Sequence, residues 1–378
     1  MKSGYQLCTR CIMDTTAEGI VFDVDGVCNY CSDFVAQKDR FVEADPQLRE
    51  QRMRALVEQV KEQGKGKPYD CIVGISGGVD SSWTLYQAVQ RGLRPLAVHM
   101  DSGWNAELAQ NNIANLVRSL GVDLYTHVIN WPEIRGLMEA FFASDVIDVE
   151  VLYDNAMIAV NYQQAVKHGL KHILAGTNVA TEGMRMPRNW NWLKHDKRNI
   201  NGISAKFGGP KLKTFPSIST LDFVRYVAIS RIKWVSFLDY IDYSKIEALD
   251  VLTREFNYKA YAYKHYESIF TRFYQGYILP NKFGVDKRRL HLSNLIMTGQ
   301  LDREAALECV KGIAYPDPAM LEADKLYFIK KMGWTEQKLK DYIARPERPH
   351  TDYPSEAGFY YWALDMYRKM NLKMGKVD

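Results

Sequence analysis

The chain has 378 residues, of which 47% are hydrophobic and 25% charged, a composition that excludes disordered, collagen-like and low-complexity proteins. At on the order of 150 residues per domain, this length predicts two or three domains with a sizeable core. The 49 Lys and Arg residues nearly balance the 45 Asp and Glu residues, and a net charge of +4 argues against a nucleic-acid binder. No stretch approaches the roughly 18 consecutive apolar residues of a membrane span, and no signal peptide is visible. We therefore expect a cytoplasmic protein without membrane insertion.

Four of the six cysteines lie in a short, turn-rich segment at the start of the chain. Cys8 and Cys11 are followed by sixteen residues and then by Cys28 and Cys31. This spacing is typical of a two-knuckle zinc ribbon, in which each Cys-x2-Cys turn offers two thiolates to one ion. Four sulfur ligands leave tetrahedral zinc no open position, so we predict a structural zinc.

Helical and apolar segments alternate after the cysteines. A polar helix is predicted at 36–62, and a Gly/Lys/Pro linker follows at 63–68. Predicted strands cover 69–75, 93–100, 122–129 and 171–178, and predicted helices between and beside them cover 82–90, 106–120, 132–143 and 154–168. This alternation predicts a parallel α/β sheet. Beyond about residue 200 it fades, and periodic segments predict helices at 220–239, 245–256, 266–274, 303–309 and 356–370.

A glycine-rich loop joins the first predicted strand to the next helix. Its sequence is Ser76-Gly77-Gly78-Val79-Asp80-Ser81-Ser82. Backbone N–H groups and the helix dipole converge on an anion at such a position, and the glycines let a phosphate approach the main chain. The serine hydroxyls add donors, and the carboxylate is placed to hold Mg²⁺. The loop is neither a Walker A motif nor G-x-G-x-x-G, yet it suits a pyrophosphate group.

The motif Ser-Gly-Gly-x-Asp-Ser-Ser after a strand resembles the PP-loop of the N-type ATP pyrophosphatases, which cleave ATP to AMP and pyrophosphate. The resemblance implies a parallel-sheet fold of the adenine nucleotide α-hydrolase type, with ATP at the carboxyl ends of the strands. Besides the PP-loop, two other strand ends are predicted to contact ATP, through His99, Asp101, Gly103 and Trp104 and through Gly176, Thr177 and Asn178. Ordinary turn chemistry is the alternative for these two loops.

Further motifs resemble a narrower family. They are Cys-Thr-Arg-Cys-Ile-Met-Asp-Thr-Thr, Gly-Val-Cys-Asn-Tyr-Cys, the PP-loop, Lys-His-Tyr-Glu-Ser and Phe-Gly-Val-Asp-Lys-Arg-Arg. Together they resemble the N-acetyl sugar amidotransferases of bacterial surface-polysaccharide biosynthesis, from Cys8 to about residue 310, with little contributed by the tail. In that family an acetamido group of a sugar or nucleotide sugar becomes an acetamidino group through an adenylated imidate. The resemblance implies ATP, Mg²⁺ and Zn²⁺ as cofactors. The predicted domains are a zinc ribbon at 1–40, a PP-loop domain at 41–200 and a helical region at 201–378.

The reaction predicts catalytic and sugar-binding residues. Asp80 would hold Mg²⁺, and side chains that could steady the α-phosphate or transfer protons are Lys264, His265, Glu267, Lys287 and Arg288. A solvated, salt-bridged helix face is the alternative for each of them. The predicted sugar contacts are Tyr153, Asn155, Glu182 and Arg185, with Trp190 and Trp192 nearby. Aromatic side chains lie in a core more often than in a pocket, so core packing is the alternative for these residues.

The nitrogen source is predicted to lie outside the chain. A glutaminase needs a nucleophilic cysteine, but Cys71 and Cys309 are predicted on a strand and a helix as unreactive core thiols. The resemblance therefore implies a partner glutaminase and a cyclase-like subunit that conducts ammonia.

Two other functions are compatible with parts of the sequence. Some tRNA-thiolating enzymes also join a cysteine-rich module to a PP-loop, but they usually need further reactive cysteines and a basic face. A zinc-ribbon interaction subunit with a degenerate ATP fold is the non-enzymatic alternative. The intact PP-loop argues against it.

Overall fold

A parallel sheet with flanking helices precedes a helical C-terminal region, as the sequence predicts. The computed structural model describes residues 4–262, 264 and 266–373, with side chains as far as residue 366. The strands are β1 (Cys71–Gly74), β2 (Pro95–Asp101), β3 (Leu124–Val128), β4 (His172–Ala175) and β5 (Lys233–Ser236). The α-helices are α1 (Asn29–Phe41), α2 (Pro46–Gly64), α3 (Val79–Gln90), α4 (Glu107–Leu120), α5 (Trp131–Ser144), α6 (Val151–Lys167), α7 (Val179–Glu182), α8 (Lys197–Lys206), α9 (Thr220–Val224), α10 (Lys245–Phe256), α11 (Ile269–Phe273), α12 (Arg288–Met297), α13 (Arg303–Cys309), α14 (Pro318–Met332), α15 (Glu336–Ala344) and α16 (Ala357–Lys373). Helices of 3-10 and π type cover Arg225–Ile229, Phe237–Tyr240, Tyr274–Phe283 and His350–Asp352.

The five strands are parallel and lie in the order β3-β2-β1-β4-β5. From β1 the chain moves outward to β2 and β3, and then returns to the other side of β1 as β4. Ile72 of β1 pairs with Leu96 of β2 and Ile173 of β4. Strand order therefore reverses between β1 and β4, and a crevice forms beyond their carboxyl ends, where ligands bind in sheets of this type.

The central strand is apolar on both faces because helices cover both faces of the sheet. Val73 packs with Leu85 of α3 on one side, and Ile72 packs with Val160 of α6 on the other. All four side chains are buried. The loop after β1 therefore lies at the carboxyl end of the sheet, between the two layers of helices.

The segment at 220–239, predicted as one helix, is instead a short helix and a strand. Helix α9 continues as a π-helix to Ile229, and Arg231 then adopts a left-handed backbone with φ of 53°. This turn ends the helix and directs Lys233–Ser236 alongside β4 as the edge strand β5. The sheet consequently extends past the predicted boundary at residue 200, which falls within α8.

The C-terminal half is helical, as predicted from its periodicity. Long helices at Pro318–Met332 and Glu336–Ala344 add to those predicted. Among the helices that the structure describes, none has the length and apolar character needed to cross a membrane.

Candidate active site

A cavity of about 750 Å³ opens at the carboxyl ends of β1 and β4. The PP-loop and the loop after β4 form one end of it. Faces of α6, α10 and α12 contribute to the other walls, together with the loop after β2 and segments at 183–194 and 260–275. The PP-loop therefore lies where the reversal of strand order predicts a ligand.

The conformation of the PP-loop depends on its glycines and on contacts from α4 and from the segment after α10. Gly77 has φ of +87°, and a Cβ there would lie 2.9 Å from the carbonyl oxygen of Ala109. The Gly77 carbonyl accepts hydrogen bonds from the hydroxyls of Tyr258 (2.9 Å) and Tyr261 (3.2 Å). A side chain at Gly77 would be strained in this backbone and would displace α4.

The serines of the loop divide into two groups. Ser76 and Ser81 line the cavity, and their hydroxyls lie 3.2 Å apart. The backbone N–H of Gly78, the N-cap of α3, donates to the Ser76 hydroxyl at 3.2 Å. Ser82 has no exposed surface, and its hydroxyl has no hydrogen-bond partner among the described residues. Of the predicted PP-loop contacts, Gly77 and Ser82 therefore support the loop from behind, while Val79 lines the cavity beside Ser76, Gly78 and Ser81.

The loop after β4 lies directly against the PP-loop. A Cβ at Gly176 would lie 2.7 Å from the backbone nitrogen of Ser81, so only glycine allows this approach. Thr177 also lines the cavity. Asn178 does not, because its side chain caps α7 by accepting a hydrogen bond from the Thr181 N–H at 2.8 Å.

Asp80 is the centre of a polar network at this end of the cavity. Its carboxylate accepts hydrogen bonds from the hydroxyls of Tyr243 and Thr181 and lies 3.3 Å from the Lys264 ammonium. Lys264 also forms a 2.7 Å ion pair with Glu182. Burial acts to raise the pKa of Asp80, but Lys264 and the Tyr243 hydroxyl hold it below its usual value. The carboxylate is thus ionised beside the PP-loop.

Lys245, the first residue of α10, was missed by the motif analysis. Its side chain lines the same end of the cavity and has no hydrogen-bond or ion-pair partner among the described residues. Burial lowers its pKa, although the nearby Asp80 carboxylate opposes that shift. Its position at the start of a predicted helix was the signal available in the sequence, but no motif marks it. It is a cation available to a phosphate.

His99, after β2, lines the cavity as a neutral ring. Burial lowers its pKa, Nδ1 lies 2.9 Å from the Ile75 carbonyl oxygen, and Nε2 lies 2.9 Å from the Asn105 amide nitrogen. A ring that donates at Nδ1 and accepts at Nε2 satisfies both contacts. Asn105 also lines the cavity.

The other residues predicted in this loop do not reach the cavity. Asp101 accepts a hydrogen bond from the Gly103 N–H at 2.8 Å and shapes the turn. Trp104 has no exposed surface and packs against the rings of Trp131 and Phe270. The prediction that Trp104 lies near adenine is wrong, because apolar neighbours from α5 and α11 turn its ring into the core.

Among the predicted catalytic residues of the second half, Glu267 and Lys287 line the cavity and Arg288 does not. Arg288 donates to the Asp286 carboxylate and to the carbonyl oxygens of Cys309 and Val310. Its guanidinium thereby fastens the end of α13, which corrects its prediction as an α-phosphate contact. His265 lies outside the described residues.

The predicted sugar contacts also separate into two groups. Tyr153, Glu182 and Arg185 line the cavity. Asn155 is fully buried, and its amide donates at 2.7 Å to the carbonyl oxygens of Lys194 and Ile218. Its role is to join chain segments, so its prediction as a sugar contact is corrected.

The two tryptophans near these residues belong to the packing of the protein. Trp190 has no exposed surface, and its Nε1 donates to the Thr16 carbonyl oxygen at 3.3 Å. Trp192 stacks on His350 with 4.7 Å between ring centroids. Neither ring lines the cavity.

The four N-terminal cysteines converge on one buried point. The Sγ atoms of Cys8, Cys11, Cys28 and Cys31 all lie within 4.8 Å of one another, and the side chains have no exposed surface. The backbone N–H groups of Cys11 and Cys28 donate to the Cys8 sulfur at 3.4 and 3.2 Å, contacts that stabilise a thiolate. Four converging sulfurs with such donors fit a tetrahedral zinc.

The two remaining cysteines differ from each other. Cys71 is buried in β1, and burial raises the pKa of its thiol. Cys309 is exposed at the end of α13, so its prediction as a core residue is wrong. The helix at 303–309 is short and presents its last residue to solvent.

The cysteine module is joined to the wall of the cavity. Arg303 of α13 donates to the carbonyl oxygens of Cys8 (2.9 Å) and Cys11 (3.1 Å). On α12, Arg289 forms a 3.0 Å ion pair with Asp14, and the Ser293 hydroxyl accepts from the Ile12 N–H at 3.2 Å. The module therefore supports α12 from the side opposite the cavity.

Residues 267–370 match the family described as "LPS biosynthesis protein WbpG-like, C-terminal domain". This match confirms the predicted resemblance to a family of surface-polysaccharide biosynthesis. It also runs through the tail beyond residue 310, where the motifs alone indicate little. Among curated proteins, none matches this chain.

Three solved structures are similar to the chain at low TM-scores. NMN synthetase from Francisella tularensis has 19% identity and a TM-score of 0.28, over 59% of this chain and 100% of its own. NH3-dependent NAD synthetase from Campylobacter jejuni in complex with the nitrate ion has 14% identity and a TM-score of 0.29, over 56% and 94%. A 4-thiouridine synthetase in complex with RNA and ATP has 18% identity and a TM-score of 0.25, over 50% of each chain.

Proposed function

We propose that this chain is an ATP-dependent synthetase of lipopolysaccharide biosynthesis that converts an acetamido group of a sugar or nucleotide sugar into an acetamidino group. One observation carries the proposal. A single cavity joins a complete PP-loop to a wall that includes Glu267, Lys287 and His291, from the region that matches the WbpG-like domain. ATP and a second substrate would therefore meet in one cavity.

The reaction needs an activated amide, because the oxygen of an acetamido group is a poor leaving group. The amide oxygen attacks the α-phosphorus of ATP, and the bond to pyrophosphate breaks. Ammonia then adds to the carbon of the adenylated imidate. AMP leaves with the former amide oxygen. Of the four hydrogens that the amide nitrogen and ammonia bring, three stay on the two nitrogens of the amidinium product and one is released as a proton.

The residues at the PP-loop end suit the first step. Backbone N–H groups and the hydroxyls of Ser76 and Ser81 would bind the leaving pyrophosphate, and the Lys245 ammonium would neutralise its developing charge. Asp80, ionised and facing this end, fits Mg²⁺ as a carboxylate ligand. Such an ion supplies charge stabilisation to the phosphates when bound.

The nitrogen is proposed to come from a separate glutaminase through a cyclase-like partner that conducts ammonia. Within this chain, four cysteines form the cluster and Cys71 is buried with a raised pKa. Cys309 is exposed on α13, away from the cavity lining. These positions are unsuited to glutamine cleavage at the PP-loop.

The test is mass spectrometry of the products formed from ATP, Mg²⁺, an ammonium salt and a panel of acetamido sugars, free and UDP-linked. We expect AMP and pyrophosphate to form only with a substrate sugar, which exchanges one oxygen for NH. When the acetyl oxygen of that sugar is labelled with ¹⁸O, the label should appear in AMP, because the oxygen departs with the phosphate.

Parallel reactions with tRNA provide the contrast. AMP formation with tRNA alone would replace the proposal by a tRNA-modifying activity. ATP binding without AMP formation with any substrate would instead indicate a non-enzymatic subunit.

A further inference from the structure

The wall of the cavity that α6 and α12 form carries a pair of buried opposite charges. The Lys287 ammonium lies 2.7 Å from Oε2 of Glu150, and both side chains are less than a tenth exposed. The Gln275 amide donates to both carboxylate oxygens of Glu150, at 3.0 and 3.1 Å. All three residues line the cavity. The carboxylate is thus held in one orientation by two side chains.

A second group of charges adjoins this wall. The Lys194 ammonium lies 2.7 Å from Asp148 and 2.8 Å from Asp154. The backbone N–H of Trp192 donates to Asp148 at 2.7 Å, and that carboxylate is almost fully buried. Lys194 and Asp154 line the cavity, while Asp148 supports Lys194 from behind.

One face of α6 connects these charges to the nucleotide end. The lining residues of this helix and its N-cap recur with helical spacing and are Glu150, Tyr153, Asp154, Met157 and Asn161. Asn161 lies beside Gly74 at the end of β1, with its amide oxygen 3.0 Å from where a Cβ would be. From Glu150 to Asn161 the helix axis spans about 16 Å. The cavity therefore extends well beyond the space that the PP-loop serves.

The charge balance at this wall indicates the chemistry of the ligand. Three carboxylates, those of Asp148, Glu150 and Asp154, surround two ammonium groups, so the cations are already neutralised. A phosphate would meet net negative charge here. At the other end it would meet the Lys245 ammonium, which has no ion-pair partner among the described residues. Fixed carboxylates and ammonium groups side by side match the donors and acceptors of neighbouring hydroxyl groups.

We propose that Glu150, Asp154, Lys194 and Lys287 form the acceptor subsite, which binds hydroxyl groups of the sugar ring. The identity of the ligand as a sugar rests on the proposed function. This subsite places the ring along α6, with its acetamido group toward the PP-loop. Lys287 consequently binds the sugar and is not an α-phosphate contact.

The experiment measures binding without turnover. Variants Glu150→Gln, Lys287→Met and the double variant are compared with the wild type by titration calorimetry and saturation-transfer NMR. The probes are a panel of N-acetylhexosamines, free and UDP-linked, and α,β-methylene-ATP with Mg²⁺. Lys311→Met, at an exposed ion pair with Glu308, makes the same chemical change elsewhere.

We expect each variant of the pair to lower the affinity for the sugar probe by at least tenfold. Affinity for the ATP analogue should stay within twofold, and Lys311→Met should change neither. The double variant removes both charges together, so it leaves no unpaired buried ion and should keep the melting temperature near that of the wild type. It separates loss of binding from loss of folding.

Three results would overturn the subsite: unchanged sugar affinity in the double variant, a tenfold loss of affinity for the ATP analogue, or no binding of any sugar probe by the wild type. A different result would count against the proposed function alone. If the wild type binds a sugar through these residues but forms no AMP with it, the subsite stands and the amidotransferase reaction fails.

Discussion

Two lysines lie beside the PP-loop, and their surroundings give them different roles. Lys264 is committed to the carboxylates of Asp80 and Glu182, and these anions raise its pKa against the lowering effect of burial. Lys245 has no such partner within the described part of the chain. One lysine therefore organises the site, and the other remains available to ATP.

Exchanging each lysine for methionine separates the two roles. Lys245→Met should lower kcat/KM for ATP about 100-fold, the effect of removing one preorganised charge donor. It should leave the melting temperature unchanged, since no ion pair is lost. Lys264→Met should lower the free energy of unfolding by roughly 2 to 4 kcal/mol, because two partly buried carboxylates lose their cation. Steady-state kinetics and urea unfolding provide the measurements. A destabilised Lys245→Met with normal ATP kinetics would assign this lysine a structural role.

The sequence predicts residues of the site where they are adjacent in the chain and form a motif. Ser76 to Ser81 could be found because the glycines require this backbone. Lys245 could not, since it comes from a distant helix start, and neither could the burial of Trp104 and Asn155. Whether an aromatic or amide side chain faces a cavity or a core depends on which elements pack against it, and no local pattern determines that.

At the scale of elements, α12 contacts two different parts of the protein, the cavity on one face and the cysteine module on another. Lys287, at its N-cap, and the helix residues Leu290, His291 and Asn294 line the cavity. Arg289 and Ser293 face the cysteine module instead. A change in the module is therefore transmitted to the cavity wall through one helix.

Loss of a zinc ion bound by the four cysteines should consequently disturb the wall before it disturbs the sheet. In Cys28→Ser, or after chelation, amide hydrogen exchange should become faster in α12, while α4 stays protected. Sugar-dependent turnover should fall more than affinity for the ATP analogue. Cys309→Ser, at an exposed cysteine, serves as the control and should change neither. Equal acceleration of exchange in α4 would mean that the module stabilises the whole protein instead.

The elements themselves were predicted unequally well. Strands β1, β2 and β4 are found from their apolar runs, because both faces of a central parallel strand are buried. Strand β3 was predicted as well, although it is a half-exposed edge strand. Strand β5 was missed because Lys233–Ser236 is a half-exposed edge with no clear pattern. The turn before β5 places Arg231 in the left-handed backbone region. Residues other than glycine seldom adopt this conformation, so the residue type does not indicate the turn.

Across the whole molecule, buried histidines make stability depend on pH. Burial lowers the pKa of His172 and His195 to about 4 and that of His350 to about 3. In the unfolded chain these rings take up protons near pH 6.5. Their contribution to stability is therefore complete above about pH 6.5 and is lost as the pH falls toward the folded-state values.

His172 provides the sharpest case, because neither ring nitrogen has a hydrogen-bond partner among the described residues. His172→Phe should remove its share of the acid sensitivity. Between pH 7.5 and pH 5 the wild type should lose about 2 kcal/mol more than the variant in urea unfolding. Ile173→Val, on the same strand, should change the free energy of unfolding by the same amount at pH 7.5 and at pH 5. If the free energy of unfolding depended on pH in the same way for the wild type and His172→Phe, this ring would not be held neutral in the folded protein.

The order of the strands also governs when the site can exist during synthesis of the chain. Strand β1 pairs with β4, which closes a loop of about 100 residues, and such distant pairings fold slowly. The wall that carries Lys287 and His291 is added later still. A growing chain on the ribosome thus exposes a PP-loop with one flank open until β4 emerges. The PP-loop can gain its β4 flank only after nearly half of the chain has been translated, and Lys245 and Lys264 only after about two thirds. The wall that carries Lys287 follows after more than three quarters.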